Sequence, residues 1–224
     1  MEKFAIILLA GGDGKRFGWQ KKQYLELAPG IDLIQHAVSN YSQFGMPIIL
    51  STQFPEEDLE DYAISVAVQA YRDKGVSILA ALDEARDVEN VILAEAVRPF
   101  TPQGQVWEII KKLNQFVAVV CGIPMYETVY TYNDKVVEVT DRNMQYMGQT
   151  PEGWNTDWLR MAVLDSLRDG DRLSFSYAKA LERQGEPIGF VEGSPLNFKI
   201  TFPHDMDLAR ALYERGEGLW SSEK

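Results

Sequence analysis

The apolar positions of the chain fall into short continuous runs that alternate with stretches of helical periodicity. Phe4-Ala5-Ile6-Ile7-Leu8-Leu9 is apolar throughout, the pattern of a strand buried on both faces. Gly11, Gly12 and Gly14 follow it directly. Over 31–41, Ile34, Ala37, Val38 and Tyr41 recur on one helical face. Pro47-Ile48-Ile49-Leu50 predicts a second strand. Pro55, followed by Glu56, Glu57 and Asp58, predicts a helix start, because proline and carboxylates both suit that end. A helix is expected over 77–85, and Val91-Ile92-Leu93 predicts a third strand. Thr101-Pro102 opens a helix carrying Trp107, Ile110 and Leu113, and Val117-Ala118-Val119-Val120 predicts a fourth strand. This alternation predicts right-handed βαβ units, so an α/β fold with a mostly parallel sheet and helices on both faces.

The pattern changes after residue 125. Val129 and Thr131 on one side, and Lys135-Val136-Val137-Glu138-Val139 on the other, flank Asn133-Asp134. That is a hairpin signal, and it predicts an inserted β-arm over 125–148. Thr156 is expected to cap a helix through Leu167, with Gly170 as its stop. A helix over 174–183 follows. Short strands are expected at Gly189-Phe190-Val191 and Phe198-Lys199-Ile200-Thr201. Pro203 starts a last helix through Tyr213, and the tail from Gly216 is expected to fray. No repeat, low-complexity tract or linker interrupts the chain, so residues 1–224 are expected to form one domain.

Composition narrows the chemistry. Lys plus Arg total 22 and Asp plus Glu total 33, a formal charge of −11, which argues against nucleic acid or an anionic membrane as the partner. Any local cluster of cations therefore runs against the background. Cys121 is the one cysteine, which excludes an internal disulfide and a multi-cysteine metal site. His36 and His204 are the two histidines, too few for a three-histidine site. His36 reads as a packing residue, His204 as a first-turn helix residue and Cys121 as a small buried apolar group. The apolar runs are too short for a secretory or membrane-spanning segment, so a cytoplasmic protein is expected.

Leu9-Ala10-Gly11-Gly12-Asp13-Gly14-Lys15-Arg16-Phe17-Gly18 is the first candidate site. A buried strand delivers a glycine turn whose N–H groups can form an anion nest, and Lys15, Arg16, Lys21 and Lys22 add positive charge. It is neither a Walker loop nor a dinucleotide fingerprint, both of which need other spacings. Alone, Gly12-x-Gly14 also reads as a plain tight turn. The nearby cations favour phosphate.

This string, continued by Lys22-Gln23-Tyr24-Leu25, resembles the cytidylyltransferases that make CDP-linked polyols. Their two close branches act on 2-C-methyl-D-erythritol 4-phosphate and on ribitol 5-phosphate. Further segments resemble the family in order: Lys74-Gly75-Val76-Ser77-Ile78, Glu95-Ala96-Val97-Arg98-Pro99-Phe100, Pro124 with Glu127-Thr128, Asp141-Arg142-Asn143, Gln149-Thr150-Pro151 and Asn197-Phe198-Lys199-Ile200-Thr201. The resemblance implies a Rossmann-like fold, dimerisation through the β-arm, and Mg²⁺-dependent attack of a polyol phosphate on CTP. It assigns Arg16, Lys22 and Lys199 to catalysis. Nucleotide contacts fall on Ala10, Gly11, Gly12, Gly14, Ser77 and Ala96, the metal on Glu95, and the acceptor on Arg98, Thr128, Arg142 and Thr150, with Arg142 supplied by a partner subunit.

The chain departs from the family pattern in places. Glu95 replaces the usual aspartate, Lys21 replaces a proline, and the loop before Lys22 is one residue short. Arg98 has a structural alternative, capping strand carbonyls or pairing with Glu95. The Leu9-Ala10-Gly11-Gly12 and Met147-Gly148-Gln149-Thr150-Pro151 strings, with Val97, favour the ribitol-type branch; the alternatives are the methylerythritol branch and a catalytically impaired nucleotide-binding homologue.

Overall fold

The structure, a computed structural model, describes residues 3–18, 21–55, 62, 64–132, 137–168 and 177–216. A seven-stranded sheet organises the chain. Its strands are β1 (Phe4–Leu9), β4 (Ile48–Thr52), β5 (Val66–Gln69), β6 (Asn90–Glu95), β7 (Ala118–Pro124), β10 (Tyr146–Asn155) and β11 (Gly189–Glu192), in the order β11-β7-β10-β6-β1-β4-β5. Two two-stranded ribbons complete the β-structure: β2 (Glu26–Ala28) with β3 (Ile31–Asp32), and β8 (Val129–Tyr132) with β9 (Val137–Thr140). Among the described residues the α-helices are α1 (Leu33–Ser42), α2 (Lys74–Glu84), α3 (Gln103–Lys112), α4 (Thr156–Arg168), α5 (Ala178–Gln184) and α6 (Pro203–Glu214).

Period-two alternation explains the layers. In β1, Ile6 and Leu8 point into one core with Ile34, Val38, Val106 and Ile109 of α1 and α3. Ala5 and Ile7 point into the other, with Ile78, Leu82, Leu159 and Val163 of α2 and α4. A strand covered on both faces must be apolar at every position, which is why the first six-residue run of the sequence is unbroken. A third cluster, around Phe17, Leu33, Phe100, Ile200 and Met206, closes the crest of the sheet.

Most pairings are parallel: β1 with β4 and β6, β4 with β5, and β7 with β11. The exception is β10, inserted antiparallel between β6 and β7. The hydrophobic pattern does not announce β10, because Gly148, Pro151 and Gly153 interrupt it. The ladder tolerates them through a register shift between Gln149 and Gly153, the kind of irregularity where a central proline is allowed. A Cβ at Gly153 would lie 2.4 Å from Ile109 Cγ2, so close approach of α3 requires glycine there.

Several expectations are corrected. Residues 198–201 form no strand, although the Ile200 N–H donates to the Val97 carbonyl at 2.9 Å. The cap of α4 is Asn155, whose side chain accepts from the Trp158 N–H at 3.3 Å, while the Thr156 hydroxyl donates to the Val88 carbonyl. Strands β2 and β3 are too short for the pattern to reveal, and β5, Val66–Gln69, was missed although Val66-Ala67-Val68 is apolar. The helix start after Pro55, the Asn133-Asp134 turn, the Gly170 stop, the start of the 174–183 helix and the tail beyond 216 lie outside the described residues. His36 is buried, its Nε2 within 2.9 Å of the Pro99 carbonyl oxygen, and Cys121 is buried as well. No described helix is long and apolar enough to cross a membrane.

Candidate active site

Strands β1 and β6 end side by side, Leu9 in register with Glu95. After β1 the chain crosses to β4 and β5 on one side, then returns to β6 on the other. Open α/β sheets bind ligands at this reversal, beyond the carboxyl ends of the strands. A cleft of about 350 Å³ lies there, lined on the β1 side by Ala10, Gly11, Gly12 and Gly14. Six of its lining residues are cations, Lys15, Arg16, Lys22, Arg72, Lys74 and Lys199, against two acids, Asp13 and Glu95. In a chain of net charge −11 that local inversion marks a polyanion site.

Backbone geometry shapes the loop. Gly14 sits at φ 63° and Gly18 at φ 78°, bracketing a single turn of 3-10 helix at Lys15–Phe17; left-handed φ makes glycine the favoured residue at both ends. A Cβ on Gly11 would lie 2.1 Å from Ala70 Cβ, so the loop passes too close to the neighbouring chain for any side chain. The Gln53 amide ties the loop down by donating to the Gly11 carbonyl at 3.0 Å and to Asp13 Oδ1 at 3.2 Å. The buried side chains of Gln23 and Ser51, also on the cleft wall, have polar atoms without hydrogen-bond partners among the described residues. Such atoms await a ligand or water.

Lys22 is buried, and its ammonium donates to the Ile200 carbonyl. Burial, then the like charge of Lys199, lowers its pKa to about 8, with Glu95 opposing the shift. Arg16 is exposed at the mouth of the cleft. Ser77 lines the cleft, but its hydroxyl serves the loop: it accepts from the Tyr71 N–H at 2.8 Å and lies 3.1 and 3.0 Å from the Tyr71 and Asp73 carbonyls.

Glu95 stands at the centre. Lys199 Nζ reaches its Oε1 at 2.6 Å and Lys74 Nζ the same oxygen at 3.8 Å, while Arg98 Nε and the Thr150 hydroxyl approach Oε2 at 3.3 and 3.2 Å. Burial alone would raise this carboxyl. Lys199, Lys74 and Arg98 overcome burial and hold it well below the usual carboxylate range. The expectation that Glu95 holds a metal meets a different donor set: both oxygens are spent on cations and a hydroxyl. Among the described residues no group of three or more His, Cys, Asp and Glu side chains is placed to hold a metal ion. The side chains here do not fit a protein-held Mg²⁺, which needs unshared oxygens; Glu95 instead fixes the positions of lysines and an arginine.

A second cavity of about 330 Å³ adjoins the first and shares Lys74, Glu95 and Lys199 with it. Arg98, Gln149, Thr150 and Glu152 line its other walls. Arg98 also donates to the Asn197 carbonyl at 2.6 Å, so it orients Glu95 and locks the 197 loop. Asn197 is fully buried and reaches the Thr150 carbonyl at 2.8 Å, and Gln149 donates to the Ser194 carbonyl at 2.9 Å. This brace carries Lys199 to Glu95 from 104 residues away.

Other expectations do not meet at the site. Ala96 is fully buried in the core and its N–H donates to the Leu9 carbonyl at 3.0 Å; one residue beyond Glu95, it faces away from both cavities. Thr128 and Arg142 lie in the exposed arm and line neither cavity, and Arg142 donates to the Tyr126 carbonyl at 2.6 Å. Lys74 stands in the sequence only as the first residue of a family-like segment, with no role of its own, and Glu152 carries no signal there. Lys74 is the first residue of a helix, a place where a cation is unfavourable, and that was the available signal. The Glu152 carboxyl is pushed upward chiefly by burial.

A cation-lined cleft at a strand reversal, opening into a second polar cavity across one carboxylate, defines a nucleotide-binding enzyme with room for an acceptor. Comparison with known proteins makes the class specific. Residues 4–215 match the family described as IspD: 2-C-methyl-D-erythritol 4-phosphate cytidylyltransferase. A relative of that name from Carboxydothermus hydrogenoformans is 30% identical over 233 residues, covering 96% of this chain and 97% of its own. One from Bacillus thuringiensis is 26% identical over 220 residues, covering 93% and 97%. The crystal structure of the Thermus thermophilus protein of that name superposes with a TM-score of 0.78 at 24% identity, covering 96% of this chain and all of that one. The chain belongs to the IspD family, and is a CTP-dependent nucleotidyltransferase.

Proposed function

We propose that the chain transfers CMP from CTP to 2-C-methyl-D-erythritol 4-phosphate, releasing pyrophosphate. The observation that carries this reading is the meeting of two cavities at Glu95, Lys74 and Lys199, together with the shared name of the relatives. An oxygen of the acceptor phosphate attacks the α-phosphorus of CTP. The new P–O bond forms as the bond to the β-phosphate oxygen breaks, and pyrophosphate leaves with that electron pair. Two polyanions must approach, so catalysis is positioning and charge neutralisation.

The nucleotide occupies the first cleft. Gly11, Gly12 and Gly14 offer backbone N–H groups to its phosphates, Arg16 and Lys22 hold the triphosphate, and the loop fixed by Ser77 receives the base. Lys199, positioned by Glu95, faces the α-phosphate. Thr150 and Arg98 border the acceptor cavity. CTP enters as its magnesium complex, with the metal on the phosphates.

A second copy of the chain completes the acceptor side with Thr128 and Arg142. Supporting this are the exposed Tyr126, Tyr130, Tyr132, Val139 and Met144 of the arm, an apolar surface of the kind that pairs.

The ribitol-type reading rested on the Leu9-Ala10-Gly11-Gly12 and Met147-Gly148-Gln149-Thr150-Pro151 strings and on Val97. The family match and the relatives carry the methylerythritol name instead. Pyrophosphate release from CTP and Mg²⁺ with each polyol phosphate decides the matter. Turnover with methylerythritol phosphate and not with ribitol phosphate is expected; the reverse overturns the assignment.

A further inference from the structure

Lys74 is the first residue of α2, directly after the cap Asp73, whose Oδ1 accepts from the Gly75 and Val76 N–H groups at 2.8 and 3.4 Å. The first turn of a helix carries partial positive charge and favours carboxylates. A lysine there works against its own helix, and departures of this kind collect where function requires them.

Its charge is only loosely engaged by the fold. The ammonium lies 3.8 Å from Glu95 Oε1, beyond hydrogen-bond distance, and the side chain is 50% exposed. Lys199 holds the same oxygen at 2.6 Å. A half-exposed, loose ion pair contributes little to stability.

Position supplies the reason for its presence. Lys74 borders both cavities, as do Glu95 and Lys199. Of the three, Glu95 repels phosphate and Lys199 is fixed in one position by Glu95 at 2.6 Å. Lys74 is the second cation at the junction, less tightly held than Lys199 and bordering the nucleotide and acceptor cavities alike. The N-terminus of α2 adds its own partial positive charge at the same place.

We infer that Lys74 is a further catalytic residue, whose ammonium contacts the non-bridging oxygens of the α-phosphoryl group as that group passes between the two cavities. The inference rests on the nucleotidyl-transfer reading. As the acceptor oxygen bonds to phosphorus and pyrophosphate departs, negative charge builds on those oxygens, and a cation aimed there stabilises the transition state more than either ground state.

The test is steady-state pyrophosphate release by wild type, Lys74→Met and Lys74→Arg, with CTP, Mg²⁺ and methylerythritol or ribitol phosphate, alongside thermal melts. Lys74→Met should lower kcat by about 100-fold or more, with KM for CTP moving less than about fivefold. Lys74→Arg should recover about tenfold of that loss. The melting temperature of Lys74→Met should stay level or rise, because a cation leaves a helix N-terminus. A structural role predicts the opposite: a lower melting temperature and no rescue by arginine, and that result overturns the inference. Lys74→Met within about threefold of wild type also overturns it while leaving the transfer reading intact. No turnover by wild type with either acceptor sinks both. Should Lys74→Met fail to fold, Lys74→Gln carries the same comparison.

Discussion

Replacing Glu95 with glutamine keeps the shape of the central side chain and removes its charge. Breaking a buried ion pair by deleting one partner costs about 3–5 kcal/mol, because the other charge is stranded. Here the partners differ in exposure. Lys199 is 33% and Lys74 50% exposed, so both can rehydrate, whereas Arg98 is 11% exposed and keeps only its bond to the Asn197 carbonyl as relief. The expected loss is therefore lower, about 2–3 kcal/mol at neutral pH. For a chain of this size that lowers the melting temperature by roughly 4–12 °C. Urea unfolding at several pH values gives the measurement. The Glu95 carboxyl titrates below its ordinary value of 4.5 in the folded state, so its contribution is complete above that pH and lost as acid protonates it. Wild type and Glu95→Gln should differ by the full amount at pH 7 and converge on acidification. A difference below about 0.5 kcal/mol, or one that ignores pH, would refute the view of Glu95 as the organiser of these cations.

Three further outcomes are expected. Gly11→Ala places a methyl 2.1 Å from Ala70 Cβ; it should cost about 1–3 kcal/mol and weaken CTP binding, and Ala70→Gly in the same chain should restore part of both, as read by melts and calorimetry. Lys22 loses its proton at about pH 8 when folded but near 10.5 when unfolded, so between those values it makes stability rise with pH, while CTP affinity should fall as its ammonium is lost; a flat affinity profile from pH 7 to 9.5 removes Lys22 from the triphosphate site. Glu152 is raised by burial, so Glu152→Gln, which can still accept from the Trp154 indole N–H, should be as stable as wild type or more so, with the gain growing as pH rises from 5 to 8 in thermal melts; a loss of stability at pH 8 contradicts this.

Much of the fold was legible because burial on two faces leaves a simple trace. An unbroken run such as Phe4–Leu9 has few readings besides a central parallel strand, and the glycines after it announce a loop that lets backbone approach an anion. Strand β10 was illegible for the converse reason. It crosses the middle of the sheet carrying Gln149, Thr150 and Glu152, residues whose value lies in lining a cavity, and selection for that wall erased the alternation a strand would show.

The sequence by itself determined the layered α/β architecture, the anion-binding loop, the order of the cationic residues and the kinship that names their chemistry. These follow from local periodicity and from short strings of fixed spacing. Only the tertiary structure decided what Glu95 does: Arg98 is a near neighbour in sequence, but Lys74, Thr150 and Lys199 come from a helix, a strand and a loop far along the chain and meet it only when the sheet closes. The same closure buried the Ala96 side chain in the core and left Arg142 bonded to the Tyr126 carbonyl, lining neither cavity. Side-chain charge is written in the chain, but the distance between charges belongs to the fold, and at 3–4 Å in a buried crevice distance sets whether a carboxylate grips a metal or fixes lysines in place.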